Sequence, residues 1–239
     1  YGVATVLRYG DHLQDYAERL TRAEIKDIPD GTYHFIDHID GLGEDPEPVE
    51  LKVAVTVVDD RVIVDWTGTC AQIKGGINPT FPFTKASTYA ALRSVMTSDI
   101  PNCHGFTVPI EVIAPEGCLL NPLFPSPCGA RGITGYRIID CLFGALSGAV
   151  PDRVTADTAG GSTLPTIAGY QDGKAFVFCE TFMGTWGATS AHDGQQGVPH
   201  MGANQCNVSV EAIENDYPIR INEYGMLPDT GGAGQFRGG

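Results

Sequence analysis

The stretch from Cys179 to Asn207 holds the side chains of this chain that are best suited to chemistry. Five glycines are interspersed with the titratable residues and the tryptophan of this stretch, which are Glu180, Trp186, His192, Asp193 and His200. The stretch follows neither a helical nor a strand hydrophobic period, and binding residues often lie on loops held by a rigid scaffold. We therefore interpret it as a candidate site, with a plain glycine-rich connection as the alternative.

A loop that folds back on itself can bring His192 and Asp193 next to His200. An imidazole oriented by a carboxylate is the usual arrangement of a general base. The spacing of these residues matches no zinc signature. The alternative is that the polar groups only cap turns of their own loop.

A second group of possible ligands lies near the start of the chain, where His34, His38 and Asp40 share one face of an expected strand. Imidazole and carboxylate are metal-ligand types, which makes these residues weak metal candidates. Strand residues four apart lie roughly 13 Å from each other, too far to share one ion without a bend. The alternative is a solvated strand face. Arg131, at the start of an expected helix, is placed to bind a carboxylate or a phosphate.

Several function classes are disfavoured by what the sequence lacks. It contains no GxxxxGK[ST] loop, no GxGxxG after a strand and no GxSxG elbow, so nucleotide binding by this chain alone is not expected. A net charge of −14 argues against nucleic acid and anionic membranes as partners. No apolar run reaches the length of about 20 residues that spans a bilayer.

The seven cysteines include no CxxC pair. This pattern predicts free thiols in a reducing cytoplasm rather than disulfides or a zinc site. Cys141 and Cys179 lie in apolar runs and are expected to be small core residues.

The elements that must position these residues alternate between helix and strand. Helices are predicted at Val3–Asp27, at Ile133–Val150, from a Thr84 cap to about Thr97, and from a Ser209 cap through Glu214. The predicted inner face of the first helix consists of Leu13, Tyr16, Ala17 and Leu20, and that of the Thr84 helix of Ala86, Tyr89, Ala90 and Met96. Strands are predicted at Thr32–Asp40, Val49–Val58, Arg61–Thr67, Ile110–Ile113, Thr163–Tyr170, Lys174–Glu180 and Ile219–Leu227. Asp59-Asp60 and Asp172-Gly173 are expected to be hairpin turns.

These elements predict an α+β fold of antiparallel strand meanders and hairpins with two or three packed helices. A composition shift near Pro151 divides the chain into two regions. Residues 1–150 form a region of helix, β-meander and two further helices, and residues 151–239 form a β-rich region with the glycine-rich loop. One continuous domain is the alternative.

Several segments of this sequence, in the same order along the chain, resemble the B-type chains of the hydantoinase/oxoprolinase family. This family includes N-methylhydantoinase, 5-oxoprolinase, caprolactamase, and the acetone and acetophenone carboxylases. The matching segments are IPDGTYHFIDHIDG at 28–41, LKVAVTVVDDRVIVDWTGT at 51–69, the blocks at 75–95 and 100–125, WGATSAHDGQQGV at 186–198, HMGANQCNVSVEAIE at 200–214 and LPDTGGAGQFRGG at 227–239. The resemblance departs from the family pattern at His192, where Arg is common, and at Gly202-Ala203, where Thr-Asn is common.

The resemblance implies a B-type subunit of an ATP-dependent hydrolase that opens cyclic amides such as hydantoin, oxoproline or a lactam. ATP and Mg would bind an A-type partner subunit in a hetero-oligomer, and the B-type subunit would hold a divalent metal through ligands in an N-terminal half that this chain does not contain. A ketone carboxylase subunit is the nearest alternative, and a scaffold segment without catalytic residues is another.

The resemblance also selects site residues. It supports His200 and Asp193 as catalytic residues, and because amide hydrolysis needs an acid for the leaving nitrogen, Glu180 is a candidate proton donor. Substrate contacts are expected from Asn78, Arg131, Trp186 and Asn204.

Overall fold

The computed structural model describes residues 1–161, 163–182 and 184–239. The chain divides into two compact units, Tyr1–Val154 and Thr155–Gly239. Both mix helices with mainly antiparallel strands, which confirms the α+β prediction. None of the helices in these described ranges is long and apolar enough to cross a membrane.

The first unit contains the longer helices and the larger sheet. Its elements are α1 (Val3–Lys26), β1 (Gly31–Ile39), β2 (Val49–Val58), β3 (Arg61–Asp65), α2 (Phe81–Ser94), α3 (His104–Thr107), β4 (Ile110–Ile113), α4 (Arg131–Leu146) and a 3-10 turn at Pro151–Arg153.

Helix α1 forms where the sequence predicts it, but its buried face is rotated from the predicted one. Ala17, Thr21, Glu24 and Ile25 are buried, whereas Leu13 is 46% exposed. Thr21 donates its hydroxyl to the Ala17 carbonyl one turn back, which allows a polar residue on the inner face.

The sheet has the strand order β1-β2-β3-β4. The first three strands form the predicted antiparallel meander, and Asp59 takes a positive φ of 52° in the hairpin turn. Strand β4 pairs in parallel with β3, because the chain between them passes through α2 and α3 before it returns. Alternate residues of β2 are buried, as its hydrophobic period predicts.

Helix α2 begins earlier than predicted, with Thr80 in the capping position. Thr84 does not cap the helix. It is buried and donates its hydroxyl to the Leu120 carbonyl 2.7 Å away. Ala86 is exposed, so its predicted burial was wrong, and the fully buried face runs through Thr84, Thr88 and Ala91 instead.

Helix α4 is buried along most of its length and packs against α2 and the sheet. A Cβ atom on Gly144 would lie 2.6 Å from the Phe35 ring of β1, so glycine permits the close approach. Arg137 ties the helix to β1 through Asp37, 3.3 Å away, and also contacts Asp140.

The second unit contains the hairpin of β5 (Thr166–Gln171) and β6 (Lys174–Cys179), followed by α5 (Val210–Asp216). Asp172 and Gly173 both have positive φ, as the predicted hairpin turn requires. Ser209 caps α5 by accepting a hydrogen bond from the Ala212 amide. Both predictions are confirmed.

Two predictions for the second unit were wrong. Residues 219–227 form no strand, because an alternating pattern is stable as a strand only when a neighbour pairs with it. Cys179 is exposed on the open face of the hairpin, whereas Cys141 is buried as expected. All seven cysteines are free thiols.

Candidate functional site

The second unit contains an open cleft of about 400 Å³. Three stretches of chain form its walls: residues 156–159, residues 185–188, and a glycine-rich stretch between Gly232 and Gly239. Trp186 lies in the middle stretch and Phe236 in the last, so aromatic surface and peptide groups are combined in one cleft. Such combinations are typical of sites for small organic ligands.

Glycines allow these stretches to approach each other at backbone distance. A Cβ atom on Gly187 would lie 2.1 Å from the Ala156 carbonyl oxygen, and one on Gly194 would lie 2.2 Å from the Trp186 carbonyl oxygen. Backbone hydrogen bonds hold the contacts: the Ala156 amide donates to Ala188 at 2.7 Å, and the Gly239 amide donates to Trp186 at 3.0 Å. The cleft is therefore built mainly from peptide groups.

Trp186 connects the cleft to the candidate histidine. The residue is half-buried, and its indole N–H donates to the carbonyl of Pro199, the residue before His200. The sequence predicted Trp186 as a ligand contact, and the structure places it on the cleft wall.

His200 is only 5% exposed. The Gly202 amide donates to its Nδ1 atom at 2.9 Å, and a backbone N–H can only donate to an unprotonated ring nitrogen. The neutral ring therefore carries its proton on Nε2, which makes the imidazole a proton donor at that atom.

Asp193 is exposed, and its Oδ1 atom accepts a hydrogen bond from the Arg237 amide at 2.8 Å. The Gly194 amide donates to the Arg237 carbonyl at 2.7 Å. Together these bonds hold the glycine-rich stretch against the loop, next to Phe236 on the cleft wall. His192 is exposed and bonds to Thr189 through its backbone.

Glu180 belongs to a different polar group from the cleft residues. Its Oε1 atom accepts a hydrogen bond from the Val208 amide at 3.1 Å. The residue before Val208 is Asn207, and its Nδ2 atom donates to the Tyr224 hydroxyl at 2.6 Å. Asn204 is exposed. Trp186 contacts the residue before His200 and the Gly239 amide, and Asp193 holds the same C-terminal stretch through the Arg237 amide. Glu180 instead contacts Val208.

Two predicted substrate contacts lie in the first unit, and only one of them has a side chain that is exposed to solvent. Asn78 is fully buried. Its side-chain amide bonds to the backbone of Ile73 and Gly75 in the loop before α2 and to Pro127 in the loop before α4, so it holds these two loops together. Arg131 is exposed at the first position of α4, contacts the Cys128 carbonyl and lies over the Phe83 ring.

The weak metal candidates do not converge. His34 and His38 are exposed on β1, where His38 Nε2 lies 3.5 Å from a Glu50 carboxylate oxygen, and Asp40 follows the strand. Among the residues that the structure describes, no group of three His, Cys, Asp or Glu side chains is arranged to hold a metal ion. The described donor set therefore does not fit a divalent metal.

Sequence reasoning missed the residues that complete these groups. Phe236, the Arg237 backbone and Tyr224 come close to the loop only through the fold. The signal that could have found the cleft is the glycine-rich run from Gly231 to Gly234, because glycine is needed where backbones approach closely.

Comparison with known proteins gives a consistent result along the whole chain. A family model described as hydantoinase B/oxoprolinase matches residues 1–239. The B-type subunit of a putative D-/L-hydantoinase from Pseudomonas sp. (strain NS671) is 33% identical over 250 residues, which cover 100% of this chain and 42% of that protein.

Solved structures share the fold. The ATP-dependent caprolactamase of Pseudomonas jessenii superposes with a TM-score of 0.89 at 27% identity, over 100% of this chain and 42% of that one. An acetone carboxylase in its nucleotide-free form gives a TM-score of 0.82 at 16% identity, over 93% of this chain and 32% of that one. The chain thus spans less than half the length of these relatives.

Proposed function

The chain belongs to the hydantoinase B/oxoprolinase family, and from this we propose that it forms part of the B-type subunit of an ATP-dependent cyclic amide hydrolase. The observation that carries the proposal is the similarity to an ATP-dependent caprolactamase over 100% of this chain. Because the chain spans 42% of that relative, the activity belongs to the whole subunit and its complex.

The proposed division of labour places ATP on another subunit. This sequence has no phosphate-binding loop, and the name of the hydantoinase relative describes it as one subunit of its enzyme. An A-type partner would bind ATP with Mg and phosphorylate the carbonyl oxygen of the ring. Phosphorylation makes the ring carbon more electrophilic, so water can attack it. The C–N bond then breaks to leave an acyl phosphate, and a second water releases the phosphate.

His200 and Asp193 do not line the cleft but contact its walls through Trp186 and the stretch at Arg237, and they suit the second half of the reaction. When the ring C–N bond breaks, the nitrogen needs a proton. The attacking water releases one, and the Nε2–H of His200 can donate a hydrogen bond to the departing nitrogen. Asp193 positions the glycine-rich wall through the Arg237 amide, and Glu180 is a further candidate proton donor. No step is assigned to a metal, since the described side chains do not form a metal site.

The proposal is tested with the full-length subunit purified together with its ATP-binding partner. We expect ring opening of hydantoin, 5-oxoproline or caprolactam that depends on ATP and releases ADP, measured by mass spectrometry. Ring opening that proceeds without ATP would contradict the proposal. Consumption of acetone or acetophenone that depends on bicarbonate, with no ring opening, would identify a carboxylase instead.

A second measurement separates a catalytic segment from a scaffold. Alanine at His200 and alanine at Asp193 are compared in the assembled complex, with native mass as the control for assembly. Loss of turnover with intact assembly supports a catalytic role, whereas near-normal turnover with intact assembly means that this segment only shapes and holds the complex.

A further inference from the structure

The second unit contains another open cavity, of about 310 Å³, whose lining shares no residue with the cleft. The end of α5, the turn that follows it and Gln171 at the end of β5 form its walls. Three of the lining side chains are charged at neutral pH, namely Glu214, Asp216 and Arg220. All three are exposed, so a dissolved ligand can reach them.

The chain folds back over the end of α5 and so brings Arg220 to the two carboxylates. The Ile219 amide donates to the Tyr217 carbonyl at 2.7 Å, and the Ile221 amide donates to Glu214 Oε1 at 2.8 Å. Arg220 lies between these two bonded positions. Its backbone is therefore held beside the helix.

One wall of the cavity is attached to the core of the second unit. Tyr217, which belongs to the lining, packs edge-on against Phe178 of β6, with the ring centroids 5.3 Å apart. Phe178 is buried, so this wall is rigid. A rigid wall lowers the entropy that is lost when a ligand binds.

The opposite charges share the cavity without neutralising each other. None of the ion pairs among the described residues involves Arg220, and Asp216 Oδ1 accepts a hydrogen bond from the Asn215 side chain at 3.0 Å. A simple anion would be repelled by the two carboxylates, and a metal cation by the guanidinium. A ligand that carries both charges finds a complement for each of them.

We propose that this cavity binds an amino acid in its zwitterionic form, an inference that does not depend on the proposed function. Arg220 donates to the ligand carboxylate, a pairing that suits the planar guanidinium. Asp216 accepts from the ligand ammonium, and Glu214 adds negative charge on the same side. Hydrolysis of a lactam produces an amino acid, so the ring-opened product of the proposed reaction belongs to this class of ligand.

The test uses the full-length subunit with its partner, without ATP, and three zwitterions of increasing length: glycine, 4-aminobutyrate and 6-aminohexanoate. We expect at least one of them to bind, as measured by calorimetry. The acid that lacks its ammonium group and the amine that lacks its carboxylate should each bind at least about tenfold more weakly, because a hydrogen bond to a charged group contributes about that factor.

Variants assign the binding to this cavity. Arg220→Gln and Asp216→Asn should each weaken the zwitterion by about tenfold or more, with thermal unfolding as the control for the fold. Binding at a catalytic site would survive both substitutions. Arg61 is exposed in the first unit, so Arg61→Gln should leave the affinity unchanged.

Equal affinity of the wild type and Arg220→Gln for the zwitterion would overturn the inference, and so would the failure of all three zwitterions to bind. Ring opening of lactams with ATP is measured separately on the same complex. Normal ring opening without zwitterion binding refutes this inference and leaves the proposed function intact. Zwitterion binding that Arg220→Gln abolishes, in a complex that opens no ring, has the reverse meaning.

Discussion

His200 gains its chemical character from its neighbours. The Gly202 amide fixes the ring as a donor at Nε2, and the Trp186 indole holds the preceding peptide. Because Nδ1 already accepts this bond, the buried ring acts through Nε2, where it donates a hydrogen bond.

His200→Asn tests that role. The Asn side chain can place an acceptor close to where Nδ1 lies, so the Gly202 contact is kept while the Nε2 proton is lost. We expect kcat of the complex to fall by about 10²-fold or more, the usual contribution of a general acid, measured as ring-opened product per unit time. Unchanged kcat, with native mass confirming assembly, would remove His200 from the mechanism.

Asp193 behaves as a positioning residue, and Asp193→Asn should show this. Because asparagine keeps an oxygen acceptor for the Arg237 amide, we expect it to retain most activity, within about threefold. Asp193→Ala, which removes the acceptor, should lose about 1 kcal/mol of local stability and more of the activity. The comparison is made by steady-state kinetics. Equal losses in the two variants would show that the negative charge itself is required.

The sequence identified these residues by type but not by partner. Histidine and aspartate in a glycine-rich loop indicated chemistry at Asp193 and His200, but the partners of these side chains come from other parts of the backbone. Asn78, predicted as a substrate contact, bonds through its side chain to backbone groups of its own and a neighbouring loop. Hydrogen-bond saturation depends on tertiary contacts, and a sequence pattern does not contain them.

Among the elements, α1 shows where a periodic pattern succeeds and where it fails. The spacing predicted the helix correctly, yet Leu13 is 46% exposed and Ile25 is fully buried. A helical period fixes which residues share a face, whereas the neighbouring elements decide which face is covered. The same reason explains α2, where Thr84 rather than Ala86 faces inward.

Substitutions in α1 test that assignment. Ile25→Ala should lower the free energy of unfolding by about 3 kcal/mol, because it removes a buried side chain and leaves a cavity. Leu13→Ala should change it by less than about 1 kcal/mol, as expected for a surface position. Both are measured by urea unfolding. A larger loss at Leu13 than at Ile25 would mean that the helix packs on its other face.

Glu24 joins α1 to the chain after α2. Burial alone would raise the pKa of its carboxyl, but hydrogen bonds from the Ser98 hydroxyl and the Thr97 amide, with the Thr97 hydroxyl and the Ser98 amide, lower it below the usual range. A carboxyl whose pKa is lower in the folded state stabilises the fold fully above its unfolded pKa, and this stabilisation is lost as the pH falls through the folded pKa.

We therefore expect Glu24→Gln to lower the free energy of unfolding by about 2 kcal/mol at pH 7. The difference from the wild type should shrink below about pH 4, where the wild-type carboxyl also becomes protonated. Urea unfolding at several pH values measures it. Glu116 is exposed, and Glu116→Gln is the control that should match the wild type at every pH. A difference that does not depend on pH would assign the effect to packing.

At the scale of the whole molecule, the two units differ in how much apolar surface they bury. Among the described residues of Thr155–Gly239, the buried apolar side chains are Phe178 and Ile213, while all other members of the core belong to Tyr1–Val154. Burial of apolar area is the main stabilising contribution to folding, about 25 cal/mol per Å². The composition shift near Pro151 predicted a division of the chain in this region, and its energetic meaning stays a prediction until unfolding is measured.

The two tryptophans allow that measurement, because Trp66 lies in the first unit and Trp186 in the second. We expect two fluorescence transitions in urea, with the second unit unfolding at the lower concentration because its core is small. Trp186→Phe should remove the early transition and leave the later one, which Trp66 reports from a fully buried position. A single transition at the same midpoint in both proteins would show instead that the cleft-bearing unit shares its stability with the rest of the chain.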